Sequence, residues 1–207
     1  MATGVATGIA TGPGLEAVVL AAGSGARFGG GKLTAPWRGG VLLDGALAAA
    51  FAGPVRTVSV VWGADAAVPQ AAKAFAARAG QTARLRLIEA ERHADGLSAS
   101  LKAAVGAVPP DAAGVFVFLG DMPRIPAGVL APLAAAVGEG APAAATTFNG
   151  ERGHPVLFGR ELLPRLLELE GDRGAGGLLA GLGERLVLIA SPDDGVLYDV
   201  DRPGDLT

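Results

Sequence analysis

The 207-residue chain has no cysteine, which removes disulfide frameworks, thiolate nucleophiles and cysteine-based zinc sites together. Histidine is almost as scarce: His93 and His154 are the only two, so a histidine-built metal centre is not expected. Basic charge is not in excess, because 17 Lys and Arg stand against 20 Asp and Glu and leave a net charge of −3. Without a basic surface, a role on nucleic-acid phosphates is disfavoured. No apolar run approaches the roughly 20 residues that cross a bilayer. The opening Ala-Thr-Gly repeats lack both a positive start and a continuous apolar core, so residues 1–14 read as a disordered tail and not as a signal peptide. These absences predict a cytoplasmic protein with neither nucleic acid nor membrane as partner. Lysine is the last scarcity, with Lys32, Lys73 and Lys102 among 14 arginines. In such a composition, drift would more readily place arginine at any cationic position, and Lys32 stands out for lying inside a glycine loop.

What the chain has is apolar mass, half of its residues, ample for one core over residues 15–207. Apolar, β-rich runs recur at Glu16–Ala22, Val55–Trp62, Arg84–Glu89, Gly114–Leu119, Ala143–Phe148, Leu186–Ala190 and Val196–Val200. Several are continuous rather than alternating, the pattern of parallel strands covered on both faces. Helical spacing appears between them at Leu43–Phe51, Ala64–Ala79, Ser98–Val108, Ala127–Val137, Arg160–Leu169 and Arg173–Leu182. The alternation predicts an α/β domain with a mostly parallel central sheet and helices on both faces. Ligands in such sheets bind beyond the carboxyl ends of strands, which directs attention to residues 21–32, 90–98, 120–126 and 148–155.

The first of these is Ala21-Ala22-Gly23-Ser24-Gly25-Ala26-Arg27-Phe28-Gly29-Gly30-Gly31-Lys32. Glycines let successive N–H groups form a concave anion site, and Arg27 and Lys32 supply the charge a triphosphate requires. A Walker A loop needs Ser or Thr after its lysine, and here Leu33 follows. The dinucleotide fingerprint needs Gly-x-Gly-x-x-Gly, and Phe28 holds the place of the third glycine. An NAD(P)H-dependent oxidoreductase using this loop is therefore the weaker alternative. Further on, the apolar strand ending in Gly120-Asp121-Met122-Pro123 places a carboxylate over the cleft, suited to Mg²⁺ but equally to a turn. In the last apolar run, Asp199 and Asp201 are expected on one face of a strand, and either could complete a metal site, Asp201 being preferred. Asp205, after Pro203, reads as a helix-start residue. Ser98 reads as an N-cap or as part of a helix N-terminus near nucleotide oxygens, and Arg92, His93 and Asp95 before it carry no assignment. His154 in its loop reads as a hydrogen-bonded structural residue before any resemblance is weighed, and Asp172 as a cap. Trp37 and Trp62 read as packing residues.

Leu20-Ala21-Ala22-Gly23-x-Gly25-x-Arg27-Phe28-Gly29-x-x-Lys32 resembles the signature loop of the nucleotide-diphospho-sugar transferase fold, a three-layer, Rossmann-like α/β/α architecture. Within it the chain is most similar to the MobA/MocA-like molybdenum-cofactor nucleotidyltransferases, from Leu15 to Leu206 and in the same motif order. The resemblance implies that the Leu20–Gly25 loop binds nucleotide, that Arg27 and Lys32 are triphosphate ligands with a catalytic role, and that Asp121 and Asp201 hold Mg²⁺. Gly96-Leu97-Ser98 would contact base or ribose, and His154, Asp172 and Arg173 the acceptor. The implied reaction moves a nucleoside monophosphate onto the terminal phosphate of a molybdopterin-type cofactor and releases pyrophosphate. An acceptor molybdoenzyme or its chaperone would receive the product. Ala21-Ala22-Gly23 is closer to the cytidylyl-transferring relatives (CTP:molybdopterin cytidylyltransferases) than to the guanylyl-transferring ones, which favours CTP over GTP or another triphosphate. Where relatives commonly have Gly-Ala-Arg, this chain has Gly174-Ala175-Gly176, so an anion contact to the acceptor is missing.

Overall fold

The structure, a computed structural model, describes residues 14–171 and 174–206. All of the expected tail but Gly14, together with Asp172, Arg173 and Thr207, lies outside the described residues. The central strand is β1 (Leu15–Ala21), whose residues alternate between two cores: Ala17, Val19 and Ala21 enter one, Val18 and Leu20 the other. This is why the run is continuously apolar: a strand covered on both faces has no solvent side to which polar residues could turn. A short antiparallel ribbon, β2 (Pro36–Trp37) with β3 (Gly40–Val41), then leads into α1 (Leu42–Ala52). There follow β4 (Val55–Trp62), α2 (Val68–Arg78), β5 (Leu85–Glu89), α3 (Leu97–Gly106), β6 (Gly114–Leu119), α4 (Leu130–Gly138), β7 (Ala143–Phe148), β8 (Glu151–Gly159), α5 (Leu163–Leu167), α6 (Gly176–Ala180) and β9 (Leu186–Ala190).

The seven strands of the main sheet run in the order β5-β4-β1-β6-β8-β7-β9. All neighbours are parallel except where β8 runs antiparallel to β6 and β7. α1, α2 and α4 bury Leu42, Leu47, Ala72 and Leu133 against one face, and α3, α5 and α6 bury Leu101, Leu166 and Leu179 against the other. The result is the expected three-layer α/β/α fold with a mostly parallel sheet. Phe116 on β6 is fully enclosed in the first core. Phe116→Ala is expected to lower unfolding free energy by about 3–5 kcal/mol, measurable from the denaturant midpoint, because the surrounding sheet and helices collapse only partly into the space.

Three expectations are corrected. The helix expected from Ala64 starts only at Val68, since the Asp65 carboxylate accepts the Ala67 N–H at 2.9 Å and Pro69 sits in the first helical turn. Residues 148–155 are not simply a loop. Asn149 and Gly150, with φ of 50° and 82°, form a two-residue turn, and β8 begins at once, with Glu151 paired to Phe148. Val196–Val200 is not a strand. Asp193 accepts the Gly195 N–H at 2.9 Å and winds Asp194–Val196 into a 3-10 turn. Gly195 approaches the Arg124 carbonyl, and Gly153 the Val196 carbonyl, too closely for a Cβ at either place. Among the described residues, no helix is long and apolar enough to cross a membrane.

Candidate active site

The glycine loop leaves β1 and folds back on itself. Gly25 is left-handed at φ 59°, and its carbonyl accepts the N–H groups of Phe28 at 2.9 Å and Gly30 at 3.2 Å. A Cβ at Gly25 would lie 3.0 Å from the Lys32 Cβ, so glycine here both permits the turn and lets Lys32 close over it. The neighbouring strand end is tied in by the Gly120 N–H, which donates to the Leu20 carbonyl at 2.9 Å and extends the β1–β6 ladder to the residue before Asp121. The C-terminal segment reaches the same place: the Val200 N–H donates to the Asp121 carbonyl at 3.1 Å. The Asp205 carboxylate then accepts the N–H groups of Asp201 at 3.0 Å and Arg202 at 2.7 Å, and the Tyr198 hydroxyl donates to the Asp205 carbonyl. The guanidinium carbon of Arg124 lies 3.8 Å from the centre of the Tyr198 ring and 5.8 Å from that of Trp37, packing this segment against the β2–β3 ribbon.

These supports bring four sequence-predicted residues into one charged group. Lys32 Nζ donates to Asp121 Oδ2 at 2.6 Å and lies 3.7 Å from Asp201 Oδ1, while Arg27 Nη1 donates to Asp201 Oδ2 at 3.0 Å. Lys32 is largely covered, with a side chain 12% exposed, whereas Arg27 is 78% exposed and its pairing is correspondingly weak. Asp199 stands beside this group, its carboxyl raised above the ordinary carboxylate range by partial withdrawal from water and then by the charges of Asp201 and Asp121. The corner therefore holds more carboxylate than its one enclosed ammonium balances.

Two cavities open next to it. One, of about 470 Å³, is lined by Leu20, Ala22, Gly23, Ser24, Gly96, Leu97 and Asp121, so three of the four loops singled out by strand position converge. Ala64, His93, Ala94 and Ser100 complete its wall. Ala21 points into the core on the far face of β1, and Ser98 is buried with its hydroxyl donating to the Gly171 carbonyl. Gly96, not Ser98, is the residue that caps α3. Neither Ala21 nor Ser98 lines this cavity. His93, which the sequence alone does not assign, is part of this wall. Its one signal was its position just after a strand end, in the loop that the parallel-sheet rule marks.

The second cavity, of about 210 Å³, shares Leu20 and Leu97 with the first and is mostly apolar. His154 and Arg152 bring its polar side chains, and Gly174–Gly176 form part of the rim. Burial holds the His154 imidazole down to about 4, against the opposing pull of the Asp121 charge and with the Arg152 charge adding to the depression. His154 is thus neutral at physiological pH. Below its ordinary value of 6.5 the unfolded chain binds a proton that the folded chain refuses. Stability should therefore fall as pH is lowered from about 6.5 to about 4, and His154→Asn should remove that component; unfolding free energies of both proteins across this range test it.

The fold is shared with known proteins. Residues 17–186 match the model of the MobA-like NTP transferase domain. Rv0371c of Mycobacterium tuberculosis H37Rv superposes with a TM-score of 0.77 at 26% identity, over 94% of this chain and 96% of that one. Its homologue from Mycobacterium sp. strain JC1 does so at 0.74 and 31%, over 92% of each chain. A structure of Rv0371c in complex with manganese matches at 0.67 and 25%, over 87% and 89%. No curated protein matches the chain. With the glycine loop, the acidic strand end and the family model in agreement over most of its length, the chain belongs to the MobA-like NTP transferase family and is a nucleotidyltransferase.

Proposed function

We propose that residues 15–207 act as a single domain that transfers CMP from CTP to the terminal phosphate of a molybdopterin-type cofactor. The observation that carries this reading is the joining of the glycine loop, the Gly96-Leu97 turn and Asp121 around one cavity, with Arg27 and Lys32 at its acidic edge. In this reaction an acceptor phosphate oxygen forms a bond to the α-phosphorus as the α–β phosphoanhydride breaks, and the electron pair leaves with pyrophosphate. The acceptor phosphate is already ionised, so the reaction requires no general base. Positioning and charge neutralisation do the work.

A divalent cation fits the acidic corner. The Lys32 ammonium rests between the Asp121 and Asp201 carboxylates, the place a cation is drawn to, and the Asp199 carboxyl stands beside them. Among the described residues no three His, Asp or Glu side chains form a complete metal cage, and two carboxylates completed by phosphate oxygens and water suit Mg²⁺. The manganese complex of Rv0371c supports the same class of ion. When bound, such an ion would neutralise phosphate charge. Asp121 and Asp201 would hold it, and Arg27 and Lys32, released from these carboxylates, would turn to the β- and γ-phosphates. His154 and Arg152 in the smaller cavity would face the acceptor, neutral imidazole beside a cation.

The test offers CTP, GTP, ATP and UTP with Mg²⁺ and molybdopterin and assays pyrophosphate. Release with CTP at a rate at least ~10-fold above the other three is expected, one lost or mismatched base contact being sufficient for that ratio. No release with any triphosphate, from folded protein supplied with metal, would overturn the reading.

A further inference from the structure

The larger cavity contains an imidazole, that of His93, which neither the family motifs nor the charged corner uses. We propose that His93 reads the nucleobase, its Nε2 accepting a hydrogen bond from an exocyclic amine and thereby selecting cytosine over uracil. The inference rests on the nucleotide occupying this cavity, as proposed above.

The ring is fixed on one edge. His93 Nδ1 lies 3.0 Å from the Ala90 carbonyl, and because a carbonyl oxygen only accepts, Nδ1 carries the proton. The same edge packs on Gly63, where an added Cβ would stand 2.6 Å from Cγ and 2.8 Å from Nδ1. The backbone around the ring is pinned as well: the Ala90 N–H donates to the Trp62 carbonyl at 2.8 Å, and the His93 N–H to the Ala90 carbonyl at 3.0 Å. With Nδ1 donating to the Ala90 carbonyl, Nε2 is the ring nitrogen left on the opposite edge, and His93 is among the residues that line the cavity.

The chemistry of the lining makes this nitrogen decisive. Asp121 and the loop cations take the phosphate end, so the hydrogen-bonding side chains left for the rest of the nucleotide are Ser24, Ser100 and His93. A hydroxyl rotates and serves as donor or acceptor, and so separates bases poorly, whereas an imidazole nitrogen with a fixed partner has one role. Cytosine presents an N4 amine at the edge where uracil, like thymine, presents the O4 acceptor. A lone pair at Nε2 accepts from the first and repels the second.

Calorimetric titration of the full-length protein with CTP and with UTP, each in Mg²⁺, tests this. The wild type should bind CTP ~10–100-fold more tightly than UTP, the range for a satisfied against an unsatisfied buried hydrogen bond. His93→Ala should bring CTP and UTP to within ~2-fold of each other, because the amine loses its partner and the O4 acceptor loses its repulsion. Gly63→Ala, which pushes the ring from its seat with His93 intact, should erode the same ratio. Thermal unfolding confirms that both variants are folded. A CTP to UTP ratio that survives His93→Ala overturns this inference and leaves the nucleotidyltransferase reading standing. A wild type that binds both pyrimidines equally also overturns it, and failure to bind any triphosphate overturns both.

Discussion

Asp121→Asn is expected to lower kcat by ~10²–10⁴-fold, the several kcal/mol by which a bound ion stabilises developing phosphate charge. The substitution keeps size and shape but removes the charge proposed to draw a cation to the end of β6. Its effect on stability should be small, within about 1 kcal/mol, since the Asn amide oxygen still accepts from the Lys32 ammonium, which also retains Asp201 at 3.7 Å. Loss of activity at an unchanged melting temperature would therefore report on the ion and not on the fold. Initial rates of pyrophosphate release at saturating triphosphate and metal, beside thermal unfolding, check this. Near wild-type turnover would show that Asp121 is a turn residue after all.

Lys32→Ala should act in two opposite directions. Loss of a charge-assisted hydrogen bond to phosphate is expected to weaken triphosphate binding roughly 10–100-fold. Yet the same change removes the ammonium that lies 2.6 Å from Asp121 and 3.7 Å from Asp201. Relieved of that internal cation, the two carboxylates should bind Mn²⁺ alone more tightly than in the wild type, measured by loss of the free-ion paramagnetic resonance signal. Lys32→Arg should not restore turnover, because a planar guanidinium cannot take the place of a point charge set beside the folded-back Gly25 turn. Tighter metal binding with weaker nucleotide binding identifies Lys32 as a residue shared by both halves of the site. If both affinities stay at the wild-type level, the lysine is only solvated.

The features legible in the sequence were the ones written locally. The continuous apolar runs of β1, β4 and β6 gave away a doubly covered parallel sheet, and the glycine loop and the Gly120-Asp121 strand end lay where that sheet puts ligands. What sequence reasoning missed depended on contacts between distant segments. β8 opens with Glu151-Arg152-Gly153-His154-Pro155, a poor strand by composition, and becomes one because β7 pairs with Glu151 and Arg152 across the turn, while β6 pairs only with the later Val156–Gly159. The Asn149-Gly150 pair was nonetheless a hairpin signal in plain view. Asp199 and Asp201 were expected to share a strand face. They reach the corner instead through a turn held by Asp193, the Asp121 carbonyl and the Asp205 carboxylate, none of which periodicity reveals. Ser98 looked like a cap because serine caps helices often, but Gly96 already fills that place and the Gly171 carbonyl claims the hydroxyl. The direct approach of Lys32 to Asp121, 89 residues apart in sequence, could only be found in the fold.

The central claim is that this corner handles the α-phosphorus of a triphosphate. It is tested most directly by supplying CTP labelled at either the α- or the γ-phosphate, with Mg²⁺ and molybdopterin, and following the label. Transfer of the α-label to the acceptor, release of the γ-label as pyrophosphate, and loss of both in Asp121→Asn are the predicted result. Appearance of the γ-label on the acceptor, or α-transfer that proceeds undiminished in Asp121→Asn, would contradict it.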